Sequence, residues 1–410
     1  MKKLFALIAT ILLSLLLLTN QSVKTEADTF WEFKSIDTMK YSRDRAREKL
    51  NDDAFDAVID QHMVNIAQTG ATHVGIATPY DDEFYSYLVR WVNFARKHNL
   101  KIWFRGNWSG WEGWFKYPKI SRVEHIEKTK QFILSHPELF QDGDVFSACP
   151  ECENGGPGDP RLNKDIQGHR KFLIDEYLVT KDAFQSIGKN VATNYNSMNG
   201  DVARLIMDRE TTKALGGLVV IDHYVASPDQ LVSDIRQIAA ASAGNVVLGE
   251  WGAPILDING KMTEEEQTRW IEEALMKLIL TRQVKGLNYW TYSDSSTALW
   301  KSDGTPKQAV SALTRYYNPK YIGIAITNTL GERIKNAQIT TYGRVLGPTG
   351  GKYVFPYFGG AQELTIKTKG YKSLKIHYEG SEPTATAMLE PTEENMWYKI
   401  KKLLKFVLPF

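Results

Sequence analysis

The feature that most constrains this chain is a rhythm. Short apolar runs, each followed by a stretch of helical spacing, recur eight times over about 290 residues. The runs are continuous rather than alternating, the pattern of strands buried on both faces of a parallel sheet. They occupy residues 29–36, 72–77, 101–105, 144–149, 190–196, 217–224, 246–249 and 286–292. Helical stretches lie between and after them, at 53–69, 83–98, 122–135, 166–187, 202–209, 228–241, 263–280 and 308–317. In the first of these, Phe55, Val58, Ile59, Met63 and Ile66 recur at helical spacing. Thr263 and Glu266 stand at capping-box positions. Residues 40–47 read as a charged loop. Eight strand–helix units make an α/β chain that closes into a (β/α)8 TIM barrel, expected over residues 28–318.

Asn318-Pro319 punctuates the chain. Beyond it the texture changes to short alternating runs separated by Gly and Pro, the signature of a small antiparallel all-β sandwich over residues 319–391. In residues 392–410, Met396, Ile400, Leu403, Leu404 and Val407 fall on one helical stripe, with Lys399, Lys401, Lys402 and Lys405 elsewhere. Such a basic amphipathic helix suits peripheral contact with an anionic membrane or cell surface, or docking of the same stripe on the protein.

Residues 1–27 have the form of a signal peptide: Lys2 and Lys3, an apolar stretch from Leu4 to Leu18, and a small-residue cleavage point at Ala27. The apolar stretch is too short to span a bilayer. The expectation is a secreted or cell-surface protein of bacterial type. A net charge of +2 argues against a nucleic-acid partner. The only two cysteines, Cys149 and Cys152, bracket Pro150 and Glu151. With no second ligand pair at metal spacing, no metal is expected, and no organic cofactor is implied. A disulfide is open to an exported protein, but an extended three-residue separation sets the two Cα atoms too far apart without a turn, so two small residues packing beside the site are expected.

The candidate site follows from strand tips, where barrel enzymes keep their chemistry. The seventh run stops at Gly249 and Glu250 comes next, with Trp251, Gly252 and Pro254 behind it. The fourth ends in Ser-Ala-Cys-Pro-Glu151-Cys-Glu153-Asn. Two strand-end carboxylates flanking one pocket are the minimal equipment for cleaving a glycosidic bond. Glu250 must be ionised to attack, and Glu151 must hold a proton, which nearby negative charge and burial favour. Arg105 and Asn107 at the third tip, Asn194 at the fifth, His223 and Tyr224 at the sixth, Trp251 at the seventh and Trp290 at the eighth are candidates to bind sugar or steady Glu250. For any one of them alone, a solvated charge or a core aromatic is the plainer assignment.

Leu248-Gly249-Glu250-Trp251-Gly252 and the order of the tips resemble the clan of retaining (β/α)8 glycosidases that includes cellulases and β-mannanases. The resemblance implies a carbohydrate substrate, Glu151 as acid/base ending the fourth strand and Glu250 as nucleophile ending the seventh. It also implies a tyrosine orienting the nucleophile, matched by Tyr224, and an aromatic platform, matched by Trp290. The two carboxyl groups are then expected at the shorter, retaining separation. The chain departs from the clan at Pro150, where an Asn that bonds the sugar 2-hydroxyl normally stands. Glu153 competes for the acid role, and Glu151 is preferred by alignment of Pro-Glu-Cys-Glu-Asn with Asn-Glu-Pro-Glu-Asn. A non-catalytic carbohydrate-binding barrel is the alternative. A metal-dependent barrel hydrolase would need His-x-His on the first strand, which Trp31-Glu-Phe-Lys lacks. The β-rich segment resembles carboxypeptidase-regulatory-like, transthyretin-type sandwiches, which implies an accessory module.

Overall fold

The computed structural model describes residues 30–156, 158–348, 352–380, 382, 384–394 and 396–407. The expected signal peptide, residues 1–27, lies outside them. The described chain divides into two compact units, Phe30–Lys320 and the part from Tyr321 onward.

The first unit is an eight-stranded parallel barrel. Its strands are β1 (Phe33–Asp37), β2 (His73–Ile76), β3 (Lys101–Phe104), β4 (Val145–Phe146), β5 (Met198–Asn199), β6 (Leu218–Asp222), β7 (Asn245–Trp251) and β8 (Val284–Tyr289). They neighbour one another in chain order, and β8 returns to β1 with Phe33 opposite Gly286. The remaining seam closes irregularly. Val145 bridges Ala192, and the Phe146 N–H donates to the Ala192 carbonyl at 2.8 Å. The fifth strand therefore differs from expectation. Its start pairs with β4, its end pairs with β6, and the polar residues 193–197 between them form no ladder.

Inside the barrel, Phe33, Trp103, Val145, Tyr195, Leu218, Val220 and Val247 form one cluster. The Phe33 ring meets Trp103 and Tyr195 edge-on at 5.2 and 5.4 Å. Gly286 admits that ring, because a Cβ there would lie 2.3 Å from it. Each large apolar side chain buried here contributes about 1.5–3 kcal/mol. This layer fills the barrel below the strand tips, leaving the C-terminal face for polar groups.

Most outer helices follow their sequence signals. Glu264–Ile279 begins at Thr263 with the expected capping box. The expected charged loop 40–47 instead forms two helical turns, Met39–Ser42 and Ala46–Lys49, because Met39, Tyr41 and Ala46 have apolar surface to bury. Strand β7 also continues past Gly249 through Glu250 to Trp251. The pairing with β6 skips Gly249, so that Asp222 stands opposite Glu250. Only glycine fits that bulge, since a Cβ would lie 2.4 Å from Asp222 Oδ1.

The second unit is a sandwich of β9 (Lys320–Asn328), β10 (Gln338–Thr341), β11 (Arg344–Leu346), β12 (Tyr353–Tyr357), β13 (Gln362–Lys367), β14 (Leu374–Tyr378) and β15 (Thr384–Leu389). One sheet runs β11-β10-β13-β14 and the other β12-β9-β15. Alternating inward residues, among them Ile324, Ile326, Ile339, Phe355, Leu364, Ile366 and Leu389, make its core. The purely antiparallel expectation fails at one place, since β15 pairs parallel to β9 with Thr384 opposite Gly323. The helix Met396–Val407 follows. No helix among the described residues is long and apolar enough to cross a membrane.

Candidate active site

Glu250 is held by a buried polar network assembled from strand tips. The guanidinium of Arg105, just past β3, donates to Glu250 Oε1 at 2.8 Å and to the Gly249 carbonyl at 2.7 Å. Its Nε lies 3.1 Å from Asp37 Oδ2 and its Nη2 lies 3.5 Å from Asp222 Oδ2. The Tyr224 hydroxyl donates to Glu250 Oε2 at 2.8 Å. Asn288 donates to Asp37 Oδ2 and to the Gly249 carbonyl, and Ser197 Oγ donates to Asp222 Oδ2. One cation thus serves three buried carboxyl groups. Burial, then the Asp222 charge, pushes Glu250 up to about 8 against the pull of Arg105 and Tyr224. Burial likewise lifts Asp222 to about 8 against Arg105, and raises Asp37. Burial works against the charge on Arg105, but Asp222, Glu250 and Asp37 outweigh it and hold the guanidinium charged.

Glu151 is positioned in another way. Beyond the two-residue β4 the chain leaves the sheet and crosses toward the end of the fifth strand. There the Cys149 N–H donates to Asn196 Oδ1 at 3.2 Å and the Glu151 N–H to the Ser197 carbonyl at 2.7 Å. Glu151 itself is left-handed, at φ 46° and ψ 48°, which costs a side-chain-bearing residue roughly 1–2 kcal/mol. That turn overturns the expectation of two free thiols. It brings the Cα atoms of Cys149 and Cys152 to 5.2 Å, and the two residues form a disulfide around Pro150 and Glu151. The chain then folds over Trp111, whose indole N–H donates to the Cys152 carbonyl at 3.2 Å. Gly156, at φ +55°, is required there, because a Cβ would lie 2.4 Å from that ring.

The Glu151 carboxyl is half-buried and accepts one amide hydrogen bond, from Asn154 at 2.9 Å. Burial pushes it up to about 8, with the charges of Glu250 and Glu153 adding to the rise. Its competitor Glu153 is fully buried and turned toward the end of β5. Glu153 Oε1 accepts from the Asn199 backbone N–H at 2.6 Å and from the Asn199 side chain at 3.0 Å.

The other candidates divide into two groups. Arg105, Tyr224 and Trp290 gather around Glu250, with the Trp290 ring edge-on to Tyr224 at 6.0 Å. Trp290 is half-buried, and its indole N–H is a buried donor without a hydrogen-bond partner among the described residues. The rest are directed elsewhere. Asn194 donates to the Leu215 carbonyl, which precedes β6 at the opposite end of that strand. The His223 ring faces Asp234 at 2.8 Å on the helix Pro228–Ser242. Trp251 is fully buried between barrel and helices, stacked on Trp270 and edge-on to Tyr289. Asn107 is buried and occupied by Glu112, His125 and the Trp108 backbone, so it supports the wall and does not face a ligand.

Asp37, Asp222, Asn288 and Ser197 were not among the candidates. Asp37 and Asp222 nevertheless carry the signal that exposed Glu250, an acid closing an apolar run. Glu112 was also missed. Burial lifts it to about 7 beside Asn107. Among the described residues, no group of three or more His, Cys, Asp or Glu is placed to hold a metal ion.

No protein-family model and no curated protein sequence matches the chain. Solved structures do. The GH5_18 structure from Streptomyces cattleya in complex with GlcNAc aligns at TM-score 0.54 and 13% identity, over 73% of this chain and 84% of that one. A GH5_18 structure from Bifidobacterium longum in complex with Manβ1-4GlcNAc aligns at TM-score 0.53 and 13% identity, over 74% and 84%. An FMN-binding β-glucuronidase from Facaelibacterium prausnitzii aligns at TM-score 0.47 and 13% identity, and this chain spans only 54% of it. At these identities the likeness is one of fold: the chain has the (β/α)8 barrel found in solved glycoside hydrolases.

Proposed function

We propose that the protein is a retaining β-glycoside hydrolase acting outside the cell on a poly- or oligosaccharide. Glu250 is the nucleophile and Glu151 the acid/base. The observation that carries the assignment is the contrast between the two carboxyl groups. Both oxygens of Glu250 accept strong donors, one of them a guanidinium, which favours the anion. Glu151 has a single amide donor and no hydrogen bond from a cation, which favours the acid.

In the first step Glu151 gives its proton to the glycosidic oxygen as a Glu250 oxygen bonds the anomeric carbon and the leaving group departs. In the second, Glu151 takes a proton from water, the water oxygen attacks that carbon, and Glu250 is released. Arg105 and Tyr224 keep Glu250 oriented and ionised while its charge is consumed and restored. Trp290 offers an apolar face to a sugar ring and a free donor to a hydroxyl. Export is supported by the signal-peptide pattern and by the disulfide, a bond that persists in oxidising compartments. The Manβ1-4GlcNAc bound by the Bifidobacterium neighbour makes β-linked disaccharides of that class the first substrates to try.

The test is a panel of chromogenic β-glycosides and β-linked polysaccharides, with the anomer of the first product followed by NMR. Retention is expected. Inversion overturns the nucleophile assignment, and binding without turnover on every substrate gives the non-catalytic barrel instead.

A further inference from the structure

We infer that the helix Met396–Val407 is a docking surface for an anionic lipid bilayer. The way this helix sits on its own sandwich carries the inference. At about 100° per residue, Met396, Trp397, Ile400, Leu403 and Leu404 share one face. Tyr398 lies on the opposite face and Lys401 at its edge. The polar face is the one turned to the protein: the Tyr398 hydroxyl is hydrogen-bonded to Thr329 Oγ1, and Lys401 pairs with Glu332 at 2.7 Å.

A helix that stabilised the sandwich by packing would bury the other side. Here Trp397 is 72% exposed and Leu403 65% exposed, and Met396, Ile400 and Leu404 are exposed with them. Five large apolar side chains on one face of a twelve-residue helix are far more than the scattered exposure normal on a surface.

Charge selects the occupant. Lys399 borders the apolar face on the side away from Lys401, where a long side chain reaches the headgroup level while its stem lies along the apolar stripe. Lys402, on the polar side, pairs with Glu394 at 2.7 Å just before the helix, and the helix itself carries four lysines and no carboxylate. An apolar face edged by lysines, with a tryptophan at its border, fits the interface of a bilayer with acidic headgroups. The helix is about 18 Å long, so it lies in the surface and does not cross it. The glycosidase reading plays no part in this argument.

The test is co-flotation of the full chain with vesicles of phosphatidylcholine alone or of phosphatidylcholine mixed with phosphatidylglycerol. Binding is expected to the mixed vesicles, at least tenfold tighter than to phosphatidylcholine, and to weaken at high salt. Leu403→Glu with Leu404→Glu abolishes it. Lys399→Glu with Lys402→Glu lowers it at least tenfold, both variants keeping the wild-type melting temperature. Equal binding to both vesicle types, or binding that survives Leu403→Glu with Leu404→Glu, overturns the inference. So does a dimer in light scattering that the same leucine pair disperses, which would make a second copy the occupant.

Discussion

The two sides of the site are built by opposite strategies. Glu250 stands within a seven-residue strand, and its two side-chain donors, Arg105 and Tyr224, both come from barrel tips. Glu151 stands beyond a two-residue strand, in a left-handed turn closed by a disulfide and hung on the fifth strand where no ladder forms. The contrast suits the two tasks proposed for these residues. A nucleophile must keep its charge and direction, which a rigid network of fixed donors supplies without reorganisation. An acid/base must change protonation twice in each turnover, and sparse hydrogen bonding leaves it free to do so.

Substitutions can break that contrast. Glu250→Gln should lower kcat about 10⁴-fold or more with an unchanged melting temperature. A variant keeping a tenth of wild-type turnover would remove Glu250 from its role. Arg105→Met should be the most damaging change to folding. It strands three buried carboxyl groups and should cost about 3–5 kcal/mol in denaturant unfolding. A stable Arg105→Met protein would show that the acids are neutral without it.

On the other side, Glu151→Ala should cost about 10²–10⁴-fold on substrates with poor leaving groups and much less on activated aryl glycosides, with partial rescue by azide. If Glu153→Ala shows this pattern and Glu151→Ala does not, the acid is Glu153.

The pH profile sharpens the comparison. Burial raises both carboxyl groups to about 8, and the Arg105 and Tyr224 hydrogen bonds draw the charge of the pair onto Glu250, so Glu151 holds the proton and loses it as pH rises through that value. The rate on poor leaving groups should therefore fall as pH rises through about 8, and that fall should flatten in Glu151→Ala. The smallest effect should come from Cys149→Ser with Cys152→Ser. A four-residue ring removes little chain entropy, so unfolding should shift by no more than about 2 kcal/mol. The rate on poor leaving groups should drop about tenfold as Glu151 loses its turn. A dithiol reductant should reproduce this in the wild type, and an unchanged rate would show that the turn holds without the bond.

Much of the fold was legible because buried parallel strands leave continuous apolar runs. The fifth strand was legible only at its start, since Thr193, Asn194, Asn196 and Ser197 interrupt the run after Ala192 and the chain there serves two neighbours in turn. At the site, the end of a run marks the right place without saying which neighbour faces inward. Side chains alternate along a strand, so Glu250 and Trp251 point to opposite sides, as do Asp222 and His223, and Asn288 and Tyr289. Applied at each tip, that alternation would have withdrawn Trp251 and His223 and added Asp222 and Asn288. The disulfide was hidden because it depends on the sign of φ at one residue, which spacing does not report.

The shared guanidinium also bears on how such a site can change over generations. Losing Asp222 first leaves Arg105 with Asp37 and Glu250, still amply balanced. Losing Arg105 first strands three acids at once. The two losses therefore do not add, because removing Arg105 strands three acids while Asp222 is present and two once it is gone. Within this network Asp222 has room to drift, and Arg105 does not.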